Sequence, residues 1–97
     1  MGYFPEIEAI LNAEFAKCVN RGYEQIGAEL ERDPIHRECY NVTAPDGTVY
    51  EVTVDSCRAD VADAVEIEVF IGGGRLKTAG RSGGPISLTK RDLLFPE

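Results

Sequence analysis

Apolar residues in the first third of the chain recur at helical spacing. Ile7, Ile10, Leu11, Phe15, Cys18, Val19, Ile26 and Leu30 fall three or four residues apart along much of this stretch. Pro5 suits a first helical turn, where its missing N–H costs nothing, and Glu6 and Glu8 suit the positive end of the helix dipole. The stripe drifts, and Gly22 falls in its middle. The pattern therefore predicts one long bent helix or two helices, with a break near Asn20-Arg21-Gly22 and an end at Asp33-Pro34.

Beyond Pro34 the period changes to two. His36–Thr43 and Thr48–Asp55 flank Ala44-Pro45-Asp46-Gly47, a sequence suited to a type I turn with a glycine bulge. A β-hairpin over 36–55 follows, with Tyr50, Val52 and Val54 on one face and Tyr40 and Val42 sharing a face of the first arm. Ser56–Asp63 is a polar connection. Ala64–Ile71 then alternates strictly, with Val65, Ile67, Val69 and Ile71 on one side and Glu66, Glu68 and Phe70 on the other. Such alternation belongs to a sheet with one buried and one wet face.

A turn at Gly72-Gly73 predicts a second hairpin over 64–79, with Val69 opposite Leu76 and Glu68 opposite Lys77. Pro85–Leu88 is expected to be a short strand. Thr89 to Asp92 has capping-box spacing, and Leu93, Leu94 and Phe95 are apolar enough to dock the tail. Helices followed by strands define an α+β class: one or two N-terminal helices on one face of a mainly antiparallel sheet of about four strands. The 97 residues are expected to form a single domain, 1–97.

Charge changes the picture in one place. Residues 1–71 carry fifteen acidic and five basic side chains, whereas residues 72–91 carry Arg75, Lys77, Arg81, Lys90 and Arg91 and no acid. The net charge of −7 argues against general nucleic-acid or anionic-membrane binding and suits a partner with a basic surface. No apolar run approaches the ~20 residues that span a bilayer. The opening MGYFPEIEAIL carries two glutamates and no basic flank, so it does not read as a signal peptide. Three widely spaced cysteines, Cys18, Cys39 and Cys57, suggest reduced thiols and a cytoplasmic setting.

Candidate chemistry is sparse. The segment GGGRLKTAG matches neither a P-loop nor a dinucleotide fingerprint, and its glycines first of all suit turns. His36 and Cys39 are three apart, so on a strand they face opposite ways and make a poor catalytic pair. No cysteine pair has zinc-ligand spacing, and no cofactor, metal or catalytic residue is expected. Glu66 and Glu68 read as a solvated strand face. Phe70 lies on that wet face beside the glycines, where an exposed ring would anchor a partner.

These features predict a small acidic protein-binding module, of inhibitor or immunity type, acting through its surface. The expected contact residues are Phe70, Gly73, Gly74, Arg75, Lys77 and Arg81. The alternative is a phosphate- or small-ligand-binding domain, enzymatic or not, built on the Gly-rich basic loop 72–84. A third reading is a homodimer formed through a sheet edge.

Overall fold

The helical stripe forms one element, α1 (Pro5–Arg32), broken at Gly22, whose backbone leaves helical geometry at φ 82° and ψ 164°. Glycine tolerates that positive φ without strain. The break lies where the sequence predicts it. It re-aims the drifting stripe, so that Ile7, Leu11, Phe15 and Cys18 before it and Ile26 and Leu30 after it all reach the core. The computed structural model describes residues 5–61, 63–78 and 87–96.

Four strands follow: β1 (Ile35–Thr43), β2 (Val49–Arg58), β3 (Val65–Gly73) and β4 (Leu88–Leu94). They form one antiparallel sheet in the order β1-β2-β3-β4. The β1–β2 turn is the expected one. Ala44 N–H donates to the Thr48 carbonyl at 2.8 Å, and Gly47 N–H donates to the Ala44 carbonyl at 2.9 Å. Gly47 takes the positive φ of 90° that the bulge requires. This turn fixes the β1–β2 register, in which Arg37 pairs with Asp55 and Cys39 with Thr53.

α1 covers one face of the sheet, mainly over β3 and β4. Val52, Val54, Val65, Ile67, Val69 and Ile71 point into that layer and are almost wholly buried. On β4, Lys90 lays its stem on the same side, with Nζ 4.9 Å from the Phe15 ring centroid and 3.0 Å from Asn12 Oδ1. This is cation–π contact with a hydrogen-bonded head. Among the described residues no helix is long and apolar enough to cross a membrane.

The hairpin expected over 64–79 does not form. After Gly73 and Gly74, with φ of 76° and 50°, the chain enters a short 3-10 helix, Gly74–Thr78. β3 instead pairs with β4, so Glu68 stands opposite Arg91 rather than Lys77, and Val69 opposite Lys90 rather than Leu76. The reason is apolar burial. A strand over 74–79 offers Leu76 as its one large apolar side chain, whereas β4 places Leu88 and Leu94 opposite Ile71 and Val65. The 3-10 turn still delivers Leu76 to the core, at 0% exposure. The short strand expected over 85–88 is corrected in the same way: Leu88 begins a strand that runs to Leu94, and Thr89–Asp92 is extended rather than a helical cap. Residues 85 and 86 lie outside the described residues.

Candidate functional site

The sheet has a second face, and no described element covers it. Strand alternation places Ile35, Arg37, Cys39, Asn41 and Thr43 of β1 there, with Glu51, Thr53, Asp55 and Cys57 of β2. Glu66, Glu68 and Phe70 of β3 and Thr89, Arg91 and Leu93 of β4 complete it. The registers align these side chains in rows across all four strands. One row is Cys39–Thr53–Phe70–Thr89, and the next is Arg37–Asp55–Glu68–Arg91.

The charged row is a ladder. Arg37 grips Asp55 with both prongs, Nε to Oδ1 at 2.6 Å and Nη2 to Oδ2 at 2.8 Å. Arg91 Nη1 lies 3.8 Å from Glu68 Oε2. Asp55 and Glu68 are neighbours across β2 and β3, a repulsive pairing if left alone. An arginine at each edge offsets it. The hydrogen bond from Arg37 holds the Asp55 carboxyl below its ordinary value.

Phe70 sits next to this ladder. It is half-buried by its strand neighbours and does not belong to the hydrophobic core cluster. Beside it, over β1 and β2, lies a shallow depression of about 450 Å³ lined by Cys39, Asn41, Glu51 and Thr53. Cys39 is exposed, with Sγ 3.7 Å from Thr53 Oγ1.

The other expected contact residues behave differently. Gly74 is needed for packing: a Cβ there would stand 2.5 Å from the Tyr50 ring, and Tyr50 is fully buried. Gly73 supports the same turn. Arg75 Nε lies 3.1 Å from Glu6 Oε1, and its Nη2 lies 3.0 Å from Asp46 Oδ2. So the basic segment closes at this point onto the acidic body, beside the β1–β2 turn and away from mid-strand Phe70. Lys77 is exposed on the 3-10 turn. Arg81 lies outside the described residues.

A second polar cluster lies between α1 and β1. Glu14 is 5% exposed, and it accepts a 2.7 Å bond from the Tyr40 hydroxyl and a 2.9 Å bond from Lys17. Arg21 pairs with Glu29 and reaches Glu38 at 3.8 Å, while His36 Nε2 lies 2.8 Å from Glu38 Oε1. The small cleft they frame, about 270 Å³, also borders Cys18. Burial pushes the Cys18 thiol up, which works against a thiolate nucleophile. His36 is committed to Glu38 on this side, and Cys39 faces the opposite way. The cluster is thus a satisfied polar seam without a nucleophile–base pair. Among the described residues no group of three or more His, Cys, Asp or Glu is arranged to hold a metal ion.

Sequence reasoning missed Arg37, Asp55 and Arg91 as members of the open face. The first two were within reach, since the 44–47 turn fixes their pairing. Arg91 was not, because its place depends on β4. A scan of protein-family models, a search of curated proteins and a search of solved structures each find no match to this chain.

Proposed function

We propose that this protein is a binding module that docks another protein on the open face of its sheet, with Phe70 as the anchor. The observation that carries this reading is the half-buried aromatic ring set beside a four-strand charged ladder, on a face that no described element covers. Buried aromatic anchors ringed by polar contacts are where interface energy concentrates. The face carries four carboxylates, Glu51, Asp55, Glu66 and Glu68, against two guanidinium groups, Arg37 and Arg91. With the net charge of −7, this favours a partner with a basic surface, whose encounter the field accelerates. An inhibitor or immunity-type role fits this chemistry. The three unpaired cysteines fit a reducing, cytoplasmic setting.

Cross-linked capture from native lysate, run in parallel with three forms of the chain, tests the reading. A stoichiometric partner is expected with the wild type and with Glu24→Ala on the outer side of α1. It is expected to be lost, at least tenfold, with Phe70→Ala. A partner held equally by the Phe70 variant would move the site off this face.

A further inference from the structure

We propose that two copies of this chain pair antiparallel through the outer edge of β1, in the register centred on Cys39. β1 and β4 are the two edges of the sheet, and they are guarded differently. β4 presents three consecutive charged residues, Lys90, Arg91 and Asp92, the usual protection against edge pairing. β1 is nine residues long, and it contains no proline, no lysine and no bulge in its register. Its two charges are already neutralised within the chain, Arg37 by Asp55 and Glu38 by His36 and Arg21. Ile35, at its start, is 70% exposed. No described residue pairs with this edge, and α1 lies mainly over the far side of the sheet.

The turn hydrogen bonds set which groups the edge offers. Ala44 and Thr48 form a hydrogen-bonded pair, so even-numbered residues of β1 turn their N–H and C=O toward β2. Ile35, Arg37, Cys39, Asn41 and Thr43 therefore turn theirs outward. A two-fold axis through Cys39 matches Ile35 with Thr43, Arg37 with Asn41, Glu38 with Tyr40 and His36 with Val42 of the second copy. Every outward group finds a partner, about ten inter-chain bonds in all. No like charges oppose each other. Sliding the axis to Glu38 or Arg37 sets that residue against its own copy, and sliding it to Tyr40 or Asn41 loses bonds. The edge is thus self-complementary in one register, and the guarded β4 edges close the assembly at two copies.

Because the axis is perpendicular to the sheet, both open faces lie on the same side. Cys39 and Phe70 belong to one row, so the dimer places the two Phe70 rings in a single line, ~24 Å apart across five strand spacings. The pairing does not depend on the docking of another protein.

The test uses the full chain and its own thiols. Native mass spectrometry up to about 100 μM should show dimer, and mild oxidation with diamide should trap it as a Cys39–Cys39 disulfide. The ~5.5 Å Cα separation of a hydrogen-bonded pair is within disulfide reach. Cys39→Ser should abolish the cross-link, and a Cys18→Ser, Cys57→Ser double variant should keep it. Asn41→Pro removes an outward N–H without touching the β1–β2 ladder, and Cys39→Lys sets a charge against its copy; each should weaken the dimer at least tenfold. Monomer alone up to ~100 μM overturns the proposal. So does a dimer indifferent to both Asn41→Pro and Cys39→Lys, or one whose cross-link maps to Cys57. Phe70→Ala should leave the dimer intact, so failure here and failure of the docking face are separable.

Discussion

The two faces of one sheet are built here by opposite chemistry. On the α1 side, Val65, Ile67, Val69 and Ile71 of β3 have no exposure at all. On the other side, the same strand shows Glu66, Glu68 and Phe70, set opposite Cys57, Asp55 and Thr53, with Arg91 and Arg37 offsetting the Glu68–Asp55 repulsion. Burial of aliphatic side chains stabilises a fold by roughly 1.5–3 kcal/mol each, whereas cross-strand polar pairs contribute a few tenths to one. The covered face therefore holds the protein together. The open face contributes little to that stability, so a binding surface proposed there need not weaken the core.

That contrast breaks first at the core. Ile67→Ala, at 0% exposure, should lower unfolding free energy by about 2–5 kcal/mol, read as a lower urea midpoint with unchanged slope. A loss below ~1 kcal/mol would mean that the covered face is not the source of stability. Next in size comes the seam between α1 and β1. Tyr40→Phe removes the 2.7 Å bond to Glu14 and leaves a nearly buried carboxylate with Lys17 as its remaining partner. A loss of ~1–3 kcal/mol is expected in the same assay. Smaller still is Phe70→Ala, three residues from Ile67 on the same strand. Its stability cost should stay under about 1 kcal/mol while partner capture is lost. Equal losses for Ile67 and Phe70 would erase the difference between the faces.

Much of this contrast was legible in the chain. Period-two alternation in Ala64–Ile71 assigned Phe70 to the wet side and Ile67 to the core side, and the structure places both there. Pro45-Asp46-Gly47 specified the turn and hence the Arg37–Asp55 pairing, because a bulged type I turn permits one register. Gly22 marked the helix break. The third pairing of the sheet was not legible, and the reason is distance along the chain. β3 had two candidate partners, an adjacent segment joined by glycines and a remote one joined through residues 74–87. Turn chemistry favoured the first. The second won because Leu88 and Leu94 pack, partly buried, against the core cluster, a gain that local patterns do not register. The misplaced pairing also misassigned charge: Glu68 meets Arg91, and Arg75 turns to Glu6 and Asp46.

The finest distinction between the faces is their response to pH. On the helix side, the hydrogen bond to Glu38 raises the His36 pKa above 6.5, with Glu29 and Asp33 adding to it. The folded state then holds the proton more tightly than the unfolded chain. His36 contributes stability fully below pH 6.5, and that contribution fades as pH rises through its folded value. On the open side the sign reverses. The bond from Arg37 lowers Asp55 below 3.8, so its contribution is present above pH 3.8 and fades as pH falls through the folded value. Urea midpoints measured from pH 3 to 8 should therefore soften at both ends. His36→Gln should flatten the upper limb and leave the lower. Asp55→Asn should shrink the lower limb, to which Asp46, lowered by hydrogen bonds from Thr48, also contributes, and leave the upper. Coupled loss of both limbs by either variant would show that the seam and the ladder, separated by the thickness of one strand, act as a single network rather than as two.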